Sequence, residues 1–71
     1  MRLTFLGTDS QAGHCPTMYA TDRDTYVIQG WKVTDSEALA DLRDVLDGET
    51  FVEIPKDLLR FAANDPGRED R

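Results

Sequence analysis

Residues 17–36 constrain the fold more than any other stretch, because a hairpin pattern there runs directly into a helix start. The stretch holds the single tryptophan and both tyrosines of the chain. Residues 17–21 and 25–33 are rich in β-branched and aromatic side chains and flank a polar turn, so they predict a β-hairpin. Because the turn lacks glycine, Asp22 or Asp24 is expected to adopt any left-handed conformation that it needs.

The second strand of this hairpin carries two further signals. Residues 26–28 are apolar in succession, which is typical of a central strand covered on both faces. Gly30 interrupts the apolar pattern, as expected at a bulge or bend where another segment comes close. We therefore expect Trp31, the next residue, to lie where the strand leaves the core.

Residues 33–38 give the clearest local signal, which is a helix N-terminus. Thr34 is the expected N-cap, and Glu37 completes a capping box three residues later. Apolar residues then recur at the i, i+3, i+4 spacing of one helix face. They are Ala38, Leu39, Leu42, Val45 and Leu46. Since Gly48 fits the left-handed residue that ends a helix, we predict one main amphipathic helix between Thr34 and Gly48.

Two more strands and a short helix complete the pattern. Residues 2–6 and 50–54 alternate as strands do, and Pro55 begins a short C-terminal helix. The order β-β-β-α-β-α predicts an α+β fold with a small antiparallel or mixed sheet of about four strands. We expect a single domain over residues 1–63 and a disordered C-terminal tail over residues 64–71.

The chain has 71 residues, near the lower size limit for a domain without disulfides or metal. Cys15 is its one cysteine, so no disulfide can form within the chain. No apolar run approaches the roughly 20 residues that a membrane-spanning helix needs. Met1 leads into a strand pattern rather than an apolar leader. We therefore expect a cytoplasmic protein with no membrane partner.

The net charge of −6 is confined to one part of the chain. Residues 34–57 hold eight acids against Arg43 and Lys56, whereas the rest holds six acids and six bases. This local field disfavours direct nucleic-acid binding, which depends on Lys and Arg at phosphates. It favours another protein with a basic surface as partner. The alternative is that an acidic helix face only keeps a small domain soluble.

The residue types that carry chemistry are sparse. His14 and Cys15 pair soft ligands in the loop 7–16, but a structural zinc site needs about four. Calcium-loop, phosphate-loop and nucleophile-elbow patterns are absent from the sequence. We predict no catalytic residue, metal or cofactor. The alternative is a small ligand-binding domain or enzyme that uses this loop, with a Cys15 thiol of depressed pKa.

The aromatic side chains leave three interpretations open. Tyr19, Tyr26 and Trp31 could stack single-stranded nucleic acid, but only Arg23 and Lys32 supply positive charge nearby. They could instead pack in the core and at sheet edges. They could also anchor a protein partner, since Trp and Tyr are common at binding hot spots, and Trp31 is the leading candidate.

These observations favour a non-enzymatic, acidic protein-interaction module over an enzyme. The candidate partner-binding residues combine the three aromatics with the acids on the polar side of the predicted helix. They are Trp31, Tyr19, Tyr26, Glu37, Asp41 and Asp44. A homo-oligomer is also compatible with the sequence, because a small two-sided sheet can cover one face with a copy of itself.

The ordered part of the chain resembles a family of short uncharacterised proteins from Streptomyces and related actinobacteria. The similarity runs from Leu3-Thr-Phe-Leu-Gly through the block at residues 19–35 to Val52-Glu-Ile-Pro, and Gln29-Gly-Trp-Lys-Val is its most specific part. Members are often encoded near helix-turn-helix regulators, so the resemblance implies at most a regulatory association. It brings no catalytic residues to this chain.

Overall fold

The computed structural model describes residues 1–10 and 15–67, and within them the chain adopts a small α+β fold. The elements are β1 (Leu3–Thr8), β2 (Thr17–Thr21), β3 (Tyr26–Gln29), β4 (Trp31–Lys32), α1 (Ser36–Ala40), β5 (Val52–Glu53) and a 3-10 helix (Lys56–Asn64). Strands β1, β2 and β3 form one antiparallel sheet, and β4 and β5 form a second. The α+β class predicted from the sequence is confirmed.

The predicted hairpin is present as β2 and β3. Thr17 lies opposite Gln29 and Ala20 opposite Tyr26. Asp24 takes a φ of 60° in the turn, the left-handed conformation expected of a turn aspartate. The expectation that residues 26–28 form a central strand is wrong, because β2 lies in the centre and β3 at the edge. Apolar side chains on both faces of a strand do not show whether the strand pairs with one neighbouring strand or with two.

A bulge in β1 fits the sheet to the 3-10 helix. The β1–β2 register shifts between Phe5 and Gly7, so Leu6 is the extra residue on its strand. The Leu6 carbonyl accepts a hydrogen bond of 2.9 Å from Asn64 Nδ2 at the end of the 3-10 helix. A Cβ atom on Gly7 would overlap the Phe61 ring. The helix therefore packs directly on the backbone of the sheet.

The core lies between one face of this sheet and the 3-10 helix, and it is small. Among the described residues, Leu6, Met18 and Leu58 are its buried hydrophobic side chains. Pro16 is fully buried at one end. Thr17 is also buried, and its hydroxyl donates to the Cys15 carbonyl at 2.8 Å. This core leaves most apolar side chains of the chain outside it.

The chain has more surface than a compact protein of its size. Its accessible area is 5899 Å² for 8.0 kDa, whereas about 4,450 Å² is expected for a folded monomer of that mass. Its radius of gyration is 13.7 Å, against about 11 Å expected. The chain therefore leaves more of its surface uncovered than a compact monomer of the same mass.

The second sheet begins where the predicted strand 25–33 is interrupted. Gly30 separates β3 from β4, and Trp31 then pairs with Glu53 of β5. A Cβ on Gly30 would lie 2.7 Å from both the Glu53 carbonyl oxygen and Ile54 Cγ2. The close approach expected at this glycine is confirmed. Five short strands in two sheets thus take the place of the single sheet of about four.

The main helix is much shorter than its pattern predicts. α1 ends at Ala40, and none of its residues is buried. Asp44 has a φ of 53° and Gly48 a φ of 89°, so the backbone turns twice before β5. Gly48 adopts the expected left-handed conformation in a turn and not as a helix cap. Most helical stability in proteins comes from packing, and no residue of this stretch is buried.

The C-terminal helix is present from Lys56 to Asn64 as a 3-10 helix. Pro55 precedes it with an extended backbone, and Leu58 is its buried residue. Of the predicted tail, residues 68–71 lie outside the described residues. Asp65 remains tied to the sheet because its Oδ2 accepts a 3.0 Å hydrogen bond from the Tyr26 hydroxyl. The predicted boundary between domain and tail stays a prediction.

Substituting Gly7→Ala is expected to destabilise the fold by about 1–3 kcal/mol, because the added methyl group forces the Phe61 ring away from the sheet. The midpoint of urea unfolding measures the effect. Gly67→Ala is the matched control, since its Cβ would meet nothing closer than 3.5 Å and should change stability by about 0.5 kcal/mol or less. Equal midpoints for the two variants would contradict the packing described above.

Candidate interaction surface

The three aromatic candidates do not form one platform. Tyr19 lies opposite Val27, whereas Tyr26 lies opposite Ala20 in the same strand pair. Neighbouring residues of a strand point to opposite faces, so the two tyrosines lie on opposite faces of the three-stranded sheet. Trp31 belongs to the second sheet. A continuous stacking surface made of all three rings is therefore not present.

Both tyrosines have structural contacts. The Tyr19 ring meets the Phe5 ring edge-on, with centroids 6.3 Å apart and planes at 73°. The Tyr19 hydroxyl donates to Gln29 Oε1 at 3.3 Å. The Tyr26 hydroxyl joins the sheet to Asp65, directly after the 3-10 helix. Their packing role, which the sequence left open, is thus visible in the contacts.

Trp31 is half-buried and lies at the base of the chain's largest exposed connection. It pairs with Glu53, and the Val33 amide donates to the Phe51 carbonyl at 3.2 Å just beyond the pair. These contacts close the two ends of residues 34–50, which we name the acidic segment. Part of the indole remains accessible beside that segment.

The acidic segment is exposed at every one of its residues. It carries six carboxylates and one arginine, namely Asp35, Glu37, Asp41, Asp44, Asp47 and Glu49 against Arg43. The three acidic candidates all lie within it. Glu37 is in the first turn of α1, Asp41 is its C-cap, and Asp44 follows in a left-handed conformation. All three acids therefore lie on one exposed connection.

The apolar side chains of the acidic segment also face solvent. They are Leu39, Leu42, Val45 and Leu46. Leu46 is the most exposed at 68%. The sequence pattern predicts these residues as the buried side of a helix, and this prediction is wrong for the isolated chain. Clusters of exposed apolar residues bordered by polar ones are typical of protein-binding surfaces.

An open groove runs beside the start of the acidic segment and has a volume of about 560 Å³. It is lined by Lys32, Val33, Thr34, Asp35, Ala38, Val52 and Glu53. Its walls combine apolar and charged side chains. Trp31 precedes Lys32 in β4 but does not line the groove.

The described residues give little support to the alternative site in loop 7–16. The predicted residue His14 lies outside them. Cys15 is exposed, and its Sγ lies 3.8 Å from the Ser10 hydroxyl. Within residues 1–10 and 15–67, no group of three or more His, Cys, Asp or Glu side chains is placed to hold a metal ion.

In comparisons with known proteins, no family model, curated protein or solved structure matches the chain. In the part of the chain that the structure describes, no helix has the length and apolar character to cross a bilayer. The candidate surface therefore depends on the charges, exposure and contacts given above.

The N-cap of α1 is Asp35 and not the predicted Thr34, since Asp35 Oδ2 accepts the Ala38 amide at 2.9 Å. Asp35→Ala is expected to cost about 0.5–2 kcal/mol of helix stability and to reduce helicity at residues 36–40. Backbone ¹³Cα chemical shifts of these residues measure the loss.

Thr34→Ala is the matched control, because Thr34 lies one residue before the cap and should leave those shifts nearly unchanged. A larger loss in the Thr34 variant than in the Asp35 variant would restore the capping box that the sequence predicts.

Proposed function

We propose that the protein is a small, non-enzymatic interaction module that docks on the basic surface of another protein through its acidic segment. The observation that carries the proposal is the coincidence of dense negative charge and exposed leucine side chains on a single connection. A solubilising acidic face would not require Leu42 and Leu46 at its surface.

Charged and apolar side chains contribute differently to this docking. The carboxylates attract a basic surface and speed encounter, and at physiological salt they act over about 8 Å. Each exposed ion pair formed contributes only about 0.2–1 kcal/mol. The apolar side chains supply the larger part of the affinity, because they lose contact with water once the partner covers them.

Trp31 is the proposed anchor at the base of the acidic segment. Trp31 is half-buried and pairs with Glu53 in the second sheet, so the residue is held in place before a partner arrives. An ordered aromatic side chain loses little conformational entropy on binding, which is one reason that Trp is enriched at hot spots. The groove, which is lined in part by Lys32 of β4 and Val52 of β5, then receives the partner's side chains on the same strand pair.

The helical spacing of the apolar residues in the acidic segment fits a bound state in which α1 is longer. A helix extended beyond Ala40 would place Leu39, Leu42 and Leu46 on one side, against the partner. In the free chain these side chains are exposed and the helix stops after five residues. The conformational entropy lost when this helix forms then reduces the free energy of binding, as it does for other segments that fold on their targets.

The proposed partner is a cytoplasmic protein, and a regulator with a basic DNA-binding face suits both the charge and the resemblance to the actinobacterial proteins. Nucleic acid itself is not the proposed ligand, since phosphates would meet the carboxylates of the acidic segment. Covering a basic DNA-binding face would make the protein an accessory that competes with DNA.

Neutralising Glu37→Gln and Asp41→Asn together should weaken capture of the partner by about two- to thirtyfold, the loss of two exposed ion pairs. The immobilised protein is incubated with native lysate, and quantitative mass spectrometry measures each captured protein. Adding Asp44→Asn should weaken capture further, and asparagine tolerates the left-handed backbone at that position.

Asp22→Asn with Asp24→Asn is the charge-matched control, because it removes two negative charges from the hairpin turn. Proteins that the wild type captures should remain bound to it. If both double variants lose the same partners equally, net charge and not the acidic segment is responsible, and the proposal fails.

Trp31→Ala and Leu46→Ser test the apolar part of the surface. Loss of a hot-spot tryptophan should reduce affinity by about 2 kcal/mol or more, and Leu46→Ser by about 1 kcal/mol. Titration of the purified captured partner by calorimetry measures both. Leu59→Ser is the control, since Leu59 is 58% exposed on the 3-10 helix, outside the acidic segment.

The urea midpoint of each variant separates lost binding from lost folding. Wild-type affinity in a folded Leu46→Ser variant, with reduced affinity in Leu59→Ser, would move the docking surface to the 3-10 helix and contradict the proposal.

A further inference from the structure

The three-stranded sheet has one face against the 3-10 helix and a second face that we name the open sheet face. Its members follow from the register of the strand pairs, in which opposite residues share a face. They are Leu3, Phe5, Thr8, Thr17, Tyr19, Thr21, Val27 and Gln29. None of these side chains carries a charge, although about a third of the chain's residues do.

The apolar residues of the open sheet face are incompletely covered. Phe5 is 60% exposed and Leu3 is 47% exposed, although both lie within a strand. Their neighbours Tyr19 and Val27 are half-buried, and Thr17 at the far end of the face is buried. Met18, which points to the other face, is 1% exposed. The sheet therefore has a core on one side and an aromatic, aliphatic patch in water on the other.

The polar groups of this face are already paired with each other. The hydroxyls of Thr8 and Thr17 lie 2.8 Å apart, and the Tyr19 hydroxyl donates to Gln29. Thr21 makes a 2.6 Å hydroxyl contact with Thr25 in the turn. Removing water from the face would thus leave few hydrogen-bonding groups without a partner, so covering it costs little.

The chain leaves more surface uncovered than a compact monomer of its mass, by about 1,400 Å² over the whole chain. A standard interface takes about 800 Å² from each partner. The exposed Phe5 and Leu3 side chains place part of this uncovered surface on the open sheet face.

The charge distribution identifies the occupant. A two-fold contact places the same patch of both copies together, so it requires a surface without like charges. The acidic segment cannot meet itself, whereas the open sheet face can. A second copy is also present wherever the chain is present, as permanent cover of an apolar face requires. We propose that the open sheet face is the interface of a homodimer in which two sheets pack face to face, about 10 Å apart.

This proposal is independent of the proposed function, because the two surfaces have no residue in common. Association is measured by sedimentation equilibrium from about 1 μM to about 1 mM, the range in which weak dimers dissociate. The wild type should show twice the mass of the 8.0 kDa chain at high concentration. Phe5→Asp should raise the dimer dissociation constant by about a hundredfold or more, since each copy loses a central aromatic and gains a charge.

Leu46→Asp is the matched control, because it adds the same charge to an equally exposed apolar position on the acidic segment. It should leave the dimer in place. Leu3→Asp serves as the second variant if circular dichroism shows that Phe5→Asp is unfolded. The proposal holds if a folded variant of the open sheet face is monomeric while Leu46→Asp is dimeric.

Three results would overturn it. The first is a wild type that stays monomeric up to about 1 mM. The second is a dimer that Leu46→Asp breaks and Phe5→Asp does not, which would assign self-association to the acidic segment. The third is a monomer with nuclear Overhauser contacts between Phe5 and Leu42 or Leu46, which would show that the chain's own acidic segment covers the sheet.

Discussion

The structure depends on the contact between the 3-10 helix and one face of the three-stranded sheet. Leu58 comes from the helix, and Leu6 and Met18 come from the strands beneath it. Gly7 permits this approach because its missing side chain leaves room for the Phe61 ring, and Asn64 fixes the end of the helix to the bulged strand. Without this contact, the described part of the chain would keep few buried side chains to hold its strands together.

Because the core lies on one side of the three-stranded sheet, apolar side chains elsewhere in the described part of the chain remain exposed. The 3-10 helix packs on one face of the sheet, so Phe5 and Leu3 on the other face are exposed. The second sheet has only two residues in each strand and serves to hold the ends of the acidic segment. The apolar side chains of that segment are also exposed. Their exposure in a chain of this size is what connects the fold to binding.

Charge divides the exposed surface into two kinds. The acidic segment combines carboxylates with leucines, which suits a basic partner that arrives by electrostatic attraction. The open sheet face is uncharged, which suits contact between identical surfaces. The local sequence already indicates this difference: strand alternation places Leu3 and Phe5 together, and the acids are confined to residues 34–57. Which of these side chains remain exposed could not be derived from either pattern.

The sequence by itself determined the features that arise within a few residues of one another. The hairpin of β2 and β3, the left-handed Asp24 and the close approach at Gly30 all follow from local backbone preferences. Only the tertiary structure decided that β2 is central, that α1 ends at Ala40 and that one sheet face is covered. The reason is physical: turn chemistry is local, whereas strand order, helix length and burial depend on which distant surfaces are available to pack against.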